Sequence, residues 1–138
     1  MGKTVREAMT SKPCTIDADK DVAYAAKMMK DEDVGVAPIV DGDQLVGVLT
    51  DRDIAVKVVA EGKDPQTTKV REVASTNVVT IDPQQDLDEA LRTMAQHQVR
   101  RLPVVEEDGK IVGVLAQADV ALHTDDRKTG EVVEEISK

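Results

Sequence analysis

Asp53 has the side chain of this sequence best placed to meet a small molecule, within the stretch GVLTDRDIA that runs from Gly47 to Ala55. An ionised carboxylate offers two oxygens, enough to accept from two neighbouring hydroxyls at once, as in the vicinal diol of a ribose. Thr50 lies three residues earlier, so a helix that begins there places both side chains on its first-turn face. The unpaired amide N–H groups of such a turn favour a phosphate, Arg52 adds positive charge, and Gly47 permits close main-chain approach. The same residues have a plainer reading. An aspartate at a helix start commonly caps amide groups and binds nothing, and Thr50 can do likewise.

The phrase recurs as GVLAQADVA from Gly113, keeping the glycine and the aspartate but losing the threonine and the arginine. The recurrence is part of a duplication. Residues 5–43 align with 70–108, and after one inserted residue 44–55 align with 110–121, giving 19 identities in 51 paired positions. The matches fall on TID at Thr15 and Thr80, on Pro38 and Pro103, on VGVL at Val46 and Val112, and on Asp53 and Asp119. An internal repeat decides the architecture before any single element does.

Within each copy, TID closes a short extended segment. An apolar stripe at helical spacing follows, Val22, Ala25, Ala26 and Met29 in the first copy and Leu87, Ala90, Leu91 and Met94 in the second. Asp86 with Glu89 gives the second helix the stronger start signal. Next come VAPIV or RLPVV, an acidic turn with glycine, and LVGVL or IVGVL, the pattern of an antiparallel hairpin. Proline within the first of these strands confines it to an edge or to its first residues. A helix then runs from about Asp51 or Asp53 to Ala60, stopped by Gly62.

The expected fold class is α/β in the α+β sense: two repeats, each strand-helix-strand-strand-helix, packed as a pair because about 50 residues rarely bury a core alone. The expected boundaries are 5–62 for the first repeat, 63–69 for a polar linker, 70–124 for the second repeat and 125–138 for an acidic tail, frayed or a short helix.

Composition narrows the function. A net charge of −9 opposes binding to nucleic acid or to an anionic membrane, and one Tyr with no Trp or Phe leaves almost no surface for stacking bases. Neither a membrane span nor a secretory signal stands out, so the expected location is cytoplasmic. Cys14, the only cysteine, excludes an intramolecular disulfide and a cysteine zinc cluster and reads as a buried spectator thiol. His97 and His123 lack metal-ligand spacing, so no metal site is expected. DEDVG at Asp31 is a poor calcium loop, and GKT at Gly2 lacks the rest of a phosphate loop. No nucleophile, base and orienting group stand together, so no catalytic residue is assigned and the chain reads as a non-enzyme.

With the repeats and phrases in view, the chain resembles the cystathionine β-synthase (CBS) domain, present as the tandem pair called a Bateman module, over roughly residues 5–124. It is similar to the stand-alone two-repeat proteins of bacteria, the mycobacterial hypoxic-response type among them. The resemblance implies a pseudo-twofold pair with two clefts between the repeats, often assembled as a homodimer. It also implies a regulatory protein that requires no cofactor and binds AMP, ADP, ATP or S-adenosylmethionine, with a regulated partner protein the sequence does not identify. It places the adenine against Gly35, Val36 and Ala37 and against Val79 and Thr80, and brings Val99 and Arg100 toward the same cleft. With this pattern around it, Asp53 turns from a cap to a ribose ligand.

The second cleft departs from the pattern, since Ala116 and Ala118 stand where Thr50 and Arg52 do, leaving Asp119 with Arg100 and Arg101. The expectation is one dominant nucleoside site per chain, at Asp53, with a weaker second site at Asp119 and Arg101. Arg100 and Arg101 are adjacent in a strand and point to opposite faces, so only one can meet a given ligand. A reading from a different class is an apo dimerisation or scaffold module without a small-molecule ligand.

Overall fold

The computed structural model describes residues 3–121; the tail over 125–138, His123 and Gly2 lie outside the described residues. In chain order the elements are α1 (Val5–Ala8), β1 (Thr10–Ser11), β2 (Ile16–Asp17), α2 (Val22–Glu32), β3 (Val36–Asp41), β4 (Gln44–Thr50) and α3 (Asp51–Ile54). A π-helical turn, Ala55–Val59, extends α3. The second copy follows with α4 (Val70–Val73), α5 (Leu87–His97), β5 (Arg101–Val105), β6 (Ile111–Ala116) and α6 (Gln117–Ala121).

The compact units do not share the boundaries of the sequence repeats. One unit is Cys14–Val78; the other joins the N-terminal segment through Pro13 to the chain from Val79 onward. Each repeat's opening helix therefore belongs to the unit built from the rest of the other repeat. Val70 and Val73 of α4 are buried in the core of the first unit with Ile16, Val22, Ile39 and Leu49. Val5 and Ala8 of α1 are buried in the core of the second with Leu87, Leu91, Leu102 and Leu115.

In the unit 14–78 the sheet order is β2-β3-β4, with β2 parallel to β3 and the β3–β4 hairpin antiparallel. Pro38 lies in the central strand, yet β2 pairs only with Ile39 and Val40, so up to the proline β3 has β4 as its sole strand partner. The free edge of β4 is covered by Ser75: Val48 N–H donates to Ser75 O at 2.9 Å and Ser75 N–H to Val48 O at 2.8 Å. Helix α2 is capped by Asp21, whose Oδ1 accepts from Tyr24 N–H at 2.7 Å. Its first-turn donors are satisfied by the segment between the repeats, Val22 N–H by Thr68 O at 2.9 Å and Ala23 N–H by Pro65 O at 3.0 Å. The expected polar linker is thus packed along the helix start, with Thr68 buried.

The second unit repeats the plan. Its sheet order is β1-β6-β5, with Thr10 and Ser11 on the edge of β6 where Ser75 stands on β4. Ile81 bridges to Val104 on the other side. Gly42 and Gly109 adopt positive φ, +67° and +89°, in the two hairpin turns.

Three local expectations change. Asp86 makes no side-chain cap; the start of α5 is instead held by main-chain bonds, Leu87 N–H to Lys3 O and Val5 N–H to Gln85 O. Ala26 is exposed, outside the buried stripe of Val22, Ala25 and Met29. Cys14 is exposed, at the first residue of its unit, and is not a core thiol.

The glycines of the two VGVL phrases are required by packing within each unit. A Cβ on Gly47 would stand 2.7 Å from Ser75 O, and one on Gly113 2.8 Å from Thr10 O. Both obstacles are main chain held in strand pairing, so they cannot yield cheaply. Gly47→Ala and Gly113→Ala are each expected to lower stability by about 1–3 kcal/mol, the range for overpacking, read as a fall in the urea midpoint at unchanged slope.

Candidate functional site

The hairpin delivers β4 directly into α3, and Thr50 is the hinge residue between them. It is extended, at φ −110° and ψ 161°, and serves as the N-cap. Its Oγ1 accepts from Asp53 N–H at 2.9 Å, while Asp53 Oδ2 accepts from Thr50 N–H at 3.0 Å. This reciprocal pair is a capping box with aspartate in place of glutamate. The expected shared face of Thr50 and Asp53 exists, and they use it on each other.

The carboxylate has further partners. The Ser75 hydroxyl lies astride it, 3.1 Å from Oδ1 and 3.2 Å from Oδ2. Lys57, on the π turn, reaches back to Oδ1 at 3.1 Å and also donates to Val73 O at 3.1 Å, at the end of α4. Asp53 is left 7% exposed. Burial on its own raises the carboxyl pKa, but the Thr50 N–H, the Lys57 ammonium and the Thr50 and Ser75 hydroxyls together outweigh it and hold Asp53 below the usual carboxylate range. A charge this buried persists because donors surround it.

The first-turn amides, expected to be open for a phosphate, are taken. Asp51 N–H donates to Gly35 O at 2.9 Å, Arg52 N–H to Asp51 Oδ1 at 2.8 Å, and Asp53 N–H to Thr50 Oγ1. The reason is local: an aspartate at the first helical position folds back on the next amide, and the loop before β3 supplies a carbonyl. The side chain of Arg52 is exposed in the same turn.

Gly35 and Val36 lie at the entry of β3 against this turn. A Cβ on Gly35 would meet Asp51 Oδ2 at 3.1 Å, and Val36 pairs with Thr50. The methyl group of Ala37 is buried in the core, so only its main chain is left to meet a ligand. The remaining candidates belong to the other unit. Val79 and Val99 pack against its core, while Thr80, Arg100 and Arg101 are exposed. Arg100 O accepts from Gln117 N–H at 2.8 Å, repeating the bond between Gly35 and Asp51. Asp119 Oδ2 accepts from Ala116 N–H at 3.1 Å, half of the capping box that Ala116 cannot complete.

Two residues of the site escaped the sequence reading. Lys57 carried a readable signal, since it stands four residues after Asp53 on the same helical run. Ser75 aligns with Thr10 of the other repeat, a hydroxyl in both copies, but the exchange of opening segments was needed to bring it to Asp53.

Known proteins share this fold. The CBS domain family model matches residues 5–60 and 70–124. The chain is 42% identical over 120 residues to CBS domain-containing protein YhcV of Bacillus subtilis, covering 87% of this chain and 84% of that protein. It is 38% identical over 121 residues to Hypoxic response protein 1 of Mycobacterium tuberculosis, with 87% and 84% covered. The crystal structure of Hypoxic Response Protein I with two coordinated zinc ions superposes with a TM-score of 0.78 at 36% identity, over 88% of this chain and 99% of that one. CBSX2 in complex with AMP superposes at 0.76 and 25% identity, over 88% and 95%. The CBS domain pair of MJ0100 in complex with 5'-methylthioadenosine and S-adenosyl-L-methionine does so at 0.73 and 26%, over 88% and 95%. Among the described residues of this chain no three His, Cys, Asp or Glu side chains converge as metal ligands.

Asp53→Ala removes the acceptor of the Thr50 N–H and of the Ser75 hydroxyl and the ion-pair partner of Lys57, so the expected loss is about 2–4 kcal/mol. Asp119→Ala removes one cap bond and is expected to lose about 1 kcal/mol. Equal losses in urea titration would contradict the difference. Because folding lowers the Asp53 pKa, its stabilisation is present above the unfolded value of about 3.9 and disappears as pH falls through the folded one. The stability gap between wild type and Asp53→Asn is therefore expected to be constant near neutrality and to close on acidification below about pH 4.

Proposed function

We propose a function that starts from what the chain is: it belongs to the CBS domain family, as a tandem pair over residues 5–60 and 70–124. On our reading it is a non-catalytic regulatory module that binds an adenosine-containing nucleotide and signals its presence to a partner protein, in the cytoplasm. The observation that carries this is the match, over 88% of the chain, to CBS pairs whose structures hold AMP in one case and S-adenosylmethionine with methylthioadenosine in another.

In this proposal Asp53 is the ribose ligand of the dominant site. The carboxylate is already ionised and is held in one orientation by Thr50 N–H and Lys57, so it need not turn to face a diol. Gly35 and Val36 lie beside the base, and Arg52 is the cation nearest in sequence for a phosphate. Val79, Thr80, Val99 and Arg100 are assigned to the same ligand by the family pattern. Asp119 with Arg101 makes the weaker second site, lacking the threonine. The chain self-associates as a homodimer, a reading supported by the exposure of Val56 and Val59, 48% and 70%, on the π turn.

One observation favours the scaffold reading instead: the Asp53 carboxylate already has its acceptor sites filled from within the chain. Thermal melting with AMP, ADP, ATP and S-adenosylmethionine in turn separates the two. A ligand at 100 times its Kd stabilises the fold by about 2.7 kcal/mol, and Asp53→Asn is expected to abolish that shift. Wild-type protein that melts identically with and without all four compounds would establish the scaffold role and dismiss the sensor.

A further inference from the structure

We propose that the Ser75 hydroxyl is a built-in competitor that occupies the diol position on Asp53, and so sets how tightly this chain holds a ribose. The proposal rests on the reading of Asp53 as the ribose ligand. It concerns what that ligand must displace.

Each carboxylate oxygen accommodates about two donors. Oδ1 has Lys57 and Ser75; Oδ2 has the Thr50 N–H and Ser75. A diol that binds Asp53 through both hydroxyls must take places from one of these three groups. The Thr50 N–H is half of the helix cap, and its release leaves a main-chain donor unpaired. The Lys57 ammonium carries a full charge and is also anchored on Val73 O. Ser75 is neutral and divides one proton between two acceptors at 3.1 and 3.2 Å, so it gives up least.

Ser75 can also leave without disturbing the sheet. Its main chain is pinned to Val48 by two hydrogen bonds of 2.8 and 2.9 Å, so departure of the hydroxyl is a rotation about χ1 alone. The arrangement is particular to the first repeat. Thr10 takes the equivalent strand position in the other unit, and among the described residues no hydrogen bond joins it to Asp119.

The test measures AMP and 2',3'-dideoxy-AMP binding by calorimetry to wild type, Ser75→Ala, Ser75→Thr and Asp53→Asn. Removing one competing hydrogen bond is expected to tighten AMP binding about fivefold in Ser75→Ala. Binding of the dideoxy compound, which has no diol to place on Asp53, stays unchanged. Ser75→Thr retains the hydroxyl and is expected to behave as wild type, which also guards against a misfolded alanine variant. Ser75→Ala binding AMP no more tightly than wild type, or tightening both compounds equally, overturns the competitor role. The underlying reading fails by a different sign, Asp53→Asn binding AMP as tightly as wild type. Absence of AMP binding by wild type and Ser75→Ala alike removes both.

Discussion

Two main-chain hydrogen bonds between Val48 and Ser75, made across a glycine, hold the most consequential junction of this protein. They pair the segment that opens the second repeat with the outer strand of the first, and they can form only because Gly47 has no side chain to keep Ser75 O away. The pairing covers an otherwise open sheet edge, and α4, immediately before it, seals the core with Val70 and Val73. It also sets the Ser75 hydroxyl on the Asp53 carboxylate. One contact thus closes the sheet, seals the core and determines the state of the candidate site. Gly113 and Thr10 repeat the constraint in the other unit.

The chemistry at Asp53 follows from burial. Burial raises the pKa of the Asp53 carboxyl, and the donors around it more than offset that effect. The same donors make a poised acceptor, ionised and fixed in direction, at the start of a short helix. A carboxylate built this way can serve the fold and a ligand in turn, provided one donor is easily moved. The second repeat keeps the aspartate but not the threonine, and Asp119 retains one half of the reciprocal cap. Its loss of Thr50 and Arg52 counterparts leaves the fold intact because Gly113 and the apolar positions carry the packing.

Much of this was legible in the sequence, and the parts that were not share a cause. The duplication, the hairpins, the buried stripe of α5 and the α+β class follow from spacing, because apolar period and turn glycines are local signals. Thr50 and Asp53 were identified as a pair for the same reason, three residues apart on one turn. The exchange of opening helices was not legible, since Val5 and Val70 look like the first residues of their own repeats; only the sheet edges and cores they complete reveal where they belong. Ser75 was missed with them. The burial of the Ala37 methyl group was not legible either, because strand alternation gives two faces without saying which one the core claims. Asp86 carried a better capping pattern than Asp21 but lost its role to main-chain bonds with residues about 80 positions away in sequence.

The account turns on whether one carboxylate exchanges an internal hydroxyl for those of a sugar. A crystal structure of the chain grown with saturating AMP addresses this directly. The account predicts that both ribose hydroxyls donate to Asp53 while Thr50 N–H and Lys57 keep their bonds and the Ser75 side chain has rotated away. A nucleotide bound elsewhere, with Ser75 still astride the carboxylate, would contradict it.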